Sequence, residues 1–163
     1  MSDEPLRCFD CRRGGQRPCA PDGVFDPSFV AHTYLEYVEL RGRDGVAANR
    51  LAWSWACTHE LVRSAPDLAF QIVLLMIDAM TTEQQAAAIA AGPLEDIVAD
   101  HGPAFIDRIE TLALRSPRFR FALSGVWPLD NEDSAEWKRV EALQDSGPHV
   151  DYDDLPPPDE LTS

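Results

Sequence analysis

No run of apolar residues in this chain is long enough to cross a bilayer. The most apolar stretch, Leu68–Met80, is interrupted by Gln71 and Asp78, whereas a spanning helix needs about 20 apolar residues. A secretory signal is not expected either, because Met1–Pro5 is acidic and no apolar stretch follows early in the chain. Cytoplasmic residence is therefore expected. Basic charge is scarce, with 14 Lys and Arg against 28 Asp and Glu and a formal net charge of −14. Such a surface repels nucleic acid and anionic membrane, so direct binding to either is not expected, and a protein partner, if charged, should be basic. Period-two alternation is also missing, which argues against sheet. No phosphate loop, nucleophile elbow or dinucleotide fingerprint occurs. His59-Glu60 opens a zinc-protease motif, but the position that needs a second histidine holds Arg63.

What is present is helical punctuation. Asp26-Pro27 reads as an N-cap with proline in the first turn, opening a helix that Arg41-Gly42 stops. Val46–Arg63 follows, with Ala47, Leu51, Trp55, Thr58 and Val62 on its apolar face. Pro66 starts a helix that is apolar almost all round, as expected at the centre of a bundle. Thr82 and Gln85 form a capping box for an Ala-rich helix ending at Gly92. Pro93–Asp100, Pro103–Arg115 and a short helix from Ser116-Pro117 to Gly125 then crowd together, and Ser134–Leu143 closes the series. The expected fold is all-α: an irregular bundle of seven or eight short helices, with a HEAT-like arrangement as one form it could take.

Three zones follow from composition. Residues 1–25 are an irregular head containing Cys8, Cys11 and Cys19 among Gly, Pro and Arg; residues 26–143 form the helical domain; residues 144–163 are an acidic, proline-containing tail. The tail concentrates the negative charge and lacks a packing pattern, so it reads as disordered.

The spacing Gly92-Pro93-Leu94-Glu95, His101-Gly102, Ile109-Glu110, Pro117 with Phe119, Leu123 and Val126-Trp127 resembles a small bacterial family catalogued as domain of unknown function 6869. The resemblance covers about residues 50–140, with Trp55 and Leu61-Val62 included. It implies a helical domain and brings no activity, substrate or cofactor.

Two constellations could carry chemistry. Cys8-x2-Cys11 followed by Cys19 has the knuckle spacing of a structural zinc site, with Cys57, His59 or His32 as a conceivable fourth ligand. Ordinary reduced thiols are the reading we favour, and no other cofactor is indicated. Glu95, His101 and Glu110 form an acid–base-like set, the only catalytic candidates in the core. Each also suits a structural role: Glu95 in a first turn, His101 before a glycine stop, and Glu110 bridging to either of them. Arg115, Arg118 and Arg120 make a small basic patch, either a solvated face or a grip for an acidic partner or the chain's own tail. The balance is against an enzyme and favours a small interaction or regulatory protein; a zinc-binding accessory protein or an enzyme using Glu95, His101 and Glu110 is the alternative.

Overall fold

The structure is a computed structural model that describes residues 17–162. Its described residues form seven α-helices and one π-helical turn and contain no strand. The helices are α1 (Pro27–Leu40), α2 (Gly45–Ser64), α3 (Pro66–Ala79), α4 (Glu83–Ile89), α5 (Glu95–Arg115), α6 (Pro117–Leu123) and α7 (Ala135–Gln144), with the π turn at Ala90–Leu94. The all-α class holds.

The helix starts are built as the sequence implies. Asp26 Oδ1 accepts from the Phe29 amide at 3.0 Å, and Asp44 Oδ1 from Ala47 at 3.0 Å. Ser116 and Ser134 cap α6 and α7 through Phe119 and Trp137 amides at 2.8 and 3.0 Å. Substituting alanine for such a cap costs about 1 kcal/mol. At α4 the Gln85 amide donates to Thr82 Oγ1 at 3.2 Å, while Gln85 Oε1 turns back to the Thr81 amide at 2.6 Å.

Helix α3 is the centre: Ala69, Phe70, Ile72, Val73, Met76 and Ile77 are fully buried. Each large side chain so buried stabilises the fold by about 1.5–3 kcal/mol relative to exposure. Helices α1 and α2 pack on each other and on α3; α7 lies along α5, and α6 is wedged among α3, α4, α5 and α7. Helix α2 is rotated from the expected face. It buries Ser54, Cys57, Thr58, Leu61 and Val62 and leaves Trp55 at the surface.

Two of the expected helices are joined. Pro93–Asp100 and Pro103–Arg115 form one kinked segment, with the break at His101 (φ −130°, ψ 15°). Pro103 lacks an N–H and crowds the preceding turn, which explains a kink, yet the chain re-enters helix at once. Gly102 lets α7 approach: a Cβ there would lie 3.3 Å from that of Glu136.

The tail corrects the sequence reading. Instead of being disordered, the segment is anchored to the body on either side of an exposed turn at residues 151–154, with Leu161 buried and Val150 and Leu155 packed on the core. Isolated anchors hold it where a periodic pattern is absent. Arg120 Nε donates to the Gly147 carbonyl at 2.8 Å, and the Val150 amide donates to Ser124 Oγ at 2.9 Å.

Candidate functional site

Cys8 and Cys11 lie outside the described residues. Cys19 and Cys57 are buried in the hydrophobic core. His32 Nδ1 is 2.8 Å from the Ser28 carbonyl of its own helix. His59 Nδ1 is 3.3 Å from Asp96 Oδ2, and its ring stacks on Trp55 with centroids 5.2 Å apart. Among the described residues, no group of three or more His, Cys, Asp and Glu is placed to hold a metal ion.

Glu95, His101 and Glu110 each engage a different partner. Glu95 Oε2 accepts from the Trp127 amide at 2.9 Å, fixing the loop after α6. His101 Nε2 is 2.7 Å from the Val62 carbonyl, joining the kink of α5 to the end of α2. Glu110 pairs with Arg139 of α7, which also donates to Asp107 Oδ1 at 2.8 Å. These bonds raise the Arg139 pKa above its ordinary value, Glu110 first and Asp107 second. The three candidates thus anchor three separate packing contacts.

The basic patch is divided as well. Arg115 is exposed, whereas Arg118 is only 2% exposed. The Arg118 guanidinium donates to the carbonyls of Ile77 at 2.6 Å, Asp78 at 3.3 Å, Met80, and Pro156 of the tail. Burial lowers its pKa, while nearby Asp159 and Asp78 oppose that effect. The sequence had offered a grip on the tail as one role for this patch, and Arg118 takes it.

One cluster had no signature in the sequence. Tyr34, Trp55, Thr58, His59, Gly92, Pro93 and Asp96 line a narrow cleft where α1 and α2 meet the π turn. Single-turn π elements often mark functional sites. A His–Asp pair can support proton transfer. The hydroxyls here, however, are already committed: Tyr34 donates to the Ala88 carbonyl at 3.3 Å and Thr58 to Ser54 at 2.8 Å. Burial pushes the Tyr34 pKa well above its ordinary value, so the phenol stays neutral. The cleft therefore holds a His–Asp pair without an adjacent activated nucleophile.

A second surface is larger. A groove of about 440 Å³ runs between the loop after α6 and the start of the tail, lined by Trp127, Pro128, Trp137, Gln144, Val150 and Asp151 among others. Gln144 Nε2 braces its floor by donating to the Leu123 and Val126 carbonyls at 2.8 and 2.9 Å. Trp127 is 71% exposed and Tyr152 84% exposed. The Trp127 backbone is fixed by Glu95, while its ring stays at the surface.

The Family of unknown function (DUF6869) matches residues 42–147. The chain belongs to this family. No curated protein and no solved structure gives a significant match. The DUF6869 segment contains Trp127, Arg118 and the His59–Asp96 pair, while Val150, Asp151 and the anchored end of the tail lie beyond it. No helix among the described residues is long and apolar enough to cross a membrane.

Proposed function

We propose that this member of DUF6869 is a small, cytoplasmic, non-enzymatic interaction protein of bacterial type, and that its ligand is a basic segment of a partner protein. The observation that carries this reading is the exposed Trp127 at a groove that Asp151 also lines, with further exposed acids on the chain segments that flank it. Asp130, Glu132, Asp133, Asp151 and Asp154 are all exposed on the flanking segments. None of the five is ion-paired among the described residues. Arg139, one of the two cations of this part of the chain, is already held by Asp107 and Glu110. An exposed indole beside carboxylates suits an Arg or Lys side chain, since the ring face and the acid attract the same charge. Unpaired acids on the flanking segments would steer a basic partner toward the groove. The separate structural engagements of Glu95, His101 and Glu110 support a non-catalytic role for them.

A fluorescently labelled Arg-rich peptide titrated into the full chain tests this reading. Binding should weaken as salt rises, and Trp127→Ala should reduce affinity about tenfold without changing the melting temperature. Equal binding by the wild type and Trp127→Ala would remove the groove from the proposal. No binding at low salt would remove the basic partner.

A further inference from the structure

The end of the tail is held by side chains that read its backbone and its charge. Asp78, at the end of α3, accepts through Oδ1 from the Leu161 amide at 2.8 Å. Its Oδ2 accepts from the Thr162 amide at 3.2 Å and from the Thr162 hydroxyl at 2.9 Å. Ser116 Oγ donates to Asp159 Oδ2 at 2.6 Å, and buried Arg118 donates to the Pro156 carbonyl. Leu161 is buried between these polar contacts. Residues 151–154, which lead into this segment, are exposed, and Tyr152 and Asp153 turn back through their amides onto the His149 carbonyl. The anchored segment thus hangs from an exposed turn.

Leu161 does not fill the space beside it. It forms one wall of an open groove of about 380 Å³, whose other walls include Phe70, Leu74 and Leu112. Arg108 and Arg115 stand on the groove's rim, as does Asp107. Asp107 is drawn toward Arg139, and Arg108 lies over the Phe70 ring at 4.8 Å while pairing with Asp67. On a chain of net charge −14, an apolar groove with two arginines and one aspartate, the aspartate drawn off by Arg139, contrasts with the Trp127 groove and its flanking acids.

We propose that this groove, with Asp78, Ser116 and Arg118, is a docking site for an acidic–apolar peptide segment of a partner protein, and that residues 156–162 are its resident occupant in cis. The partner segment carries a carboxylate for Ser116, an apolar side chain two residues later, and backbone amides for Asp78. An apolar group larger than leucine at that position reaches into the groove that Leu161 leaves open and displaces the tail. This site faces a ligand of opposite charge to that of the Trp127 groove, so neither proposal depends on the other.

The test uses the full chain carrying Asp159→Ala and Leu161→Ala, which weaken the resident segment while preserving chain length. The probes are labelled peptides with the sequence of residues 155–163, one native and one with Leu161→Phe. The double variant, folded by circular dichroism, should bind the native peptide one to one. The wild-type chain should bind it at least tenfold more weakly, because its own tail competes. The phenylalanine peptide should bind more tightly than the native one to both chains. If the double variant is not folded, Leu161→Ala alone replaces it under the same criteria. A folded variant that binds neither peptide, or equal affinity of wild type and variant, overturns the proposal. Concentration-dependent dimerisation of the wild type that Leu161→Ala abolishes would overturn the partner assignment in favour of a second copy of the chain.

Discussion

His101 Nε2 and the Val62 carbonyl oxygen lie 2.7 Å apart, a hydrogen bond across 39 positions of sequence that ties the kink of α5 to the last turn of α2. Val62 is among the last residues of α2, whose carbonyls have no partner within their own helix. The imidazole N–H donates to one of them. His101→Ala should therefore destabilise the fold by about 1–3 kcal/mol, the cost of leaving a part-buried carbonyl without a donor. Urea unfolding should show a lower midpoint with an unchanged slope.

Tyr34 gives a prediction in pH. Burial raises its pKa above the ordinary value of 10.0, so the folded state keeps the phenol protonated where the unfolded chain begins to ionise. The raised value means that this contribution is fully present below the unfolded pKa and is lost as pH rises through it toward the folded one. Stability should decline from about pH 10 upward, above the usual tyrosine value. Tyr34→Phe should flatten that part of the decline, at the cost of the 3.3 Å bond to Ala88. Stability measured by urea unfolding at pH values from 8 to above 10 compares the two chains.

Helix caps, stops and the central place of α3 were legible because they are local. Asp26, Asp44, Ser116 and Ser134 act within three residues of themselves, and an all-round apolar helix has few places to go other than the core. What was not legible depends on tertiary registry. The buried face of α2 keeps the expected Thr58 but also takes in Ser54, which the apolar pattern leaves out; both hydroxyls turn back to carbonyls of their own helix, at 2.8 and 2.7 Å, and so enter the core without penalty. Composition marked the tail as solvated, yet Arg118, Ser116 and Asp78 hold it through single contacts that create no periodicity. The His59–Asp96 pair joins two helices and has no sequence spacing to reveal it. Belonging to DUF6869 confirms the resemblance carried by Gly92–Trp127 without supplying a reaction.

Glu110 separates structural from catalytic expectations in a different way. Its pairing with Arg139 is half-exposed, and Asp107 shares the same guanidinium. Glu110→Gln should lower the melting temperature slightly at low ionic strength. Most of that difference should vanish at high salt, because exposed ion pairs are screened. A large, salt-independent loss would assign Glu110 a buried packing role instead.

Gly125 is required by close packing. A Cβ at that position would lie 2.9 Å from Ala90 Cβ and 3.2 Å from Val150 Cγ1, bringing the π turn and the tail into collision. Gly125→Ala should destabilise by about 1–3 kcal/mol, the range for overpacking a filled site. Gly42→Ala, where nothing lies within 4 Å of the added atom, should stay within about 0.5 kcal/mol of wild type. Denaturant midpoints of the pair distinguish packing from a general effect of removing glycine.

Arg118 combines helix capping with retention of the tail. Its guanidinium donates to the carbonyls of Ile77, Asp78 and Met80, the closing residues of α3 and its C-cap, and to Pro156. A cation at a helix C-terminus meets the negative end of the peptide dipoles, and the forked donor satisfies carbonyls that the helix leaves open. Burial opposes the charge, as the lowered pKa shows, and Asp159 with Asp78 offset part of that cost. Arg118→Met removes the buried charge but orphans several carbonyls at about 1–3 kcal/mol each, so a net loss of about 3 kcal/mol is expected. Arg118→Lys should recover only part of it, because one ammonium cannot span carbonyls from both α3 and the tail. In both variants the tail should become sensitive to limited proteolysis beyond Gly147 before the helical signal is lost on heating. A tail that stays as protected as in the wild type would show that Leu161 and Asp78 retain it without Arg118.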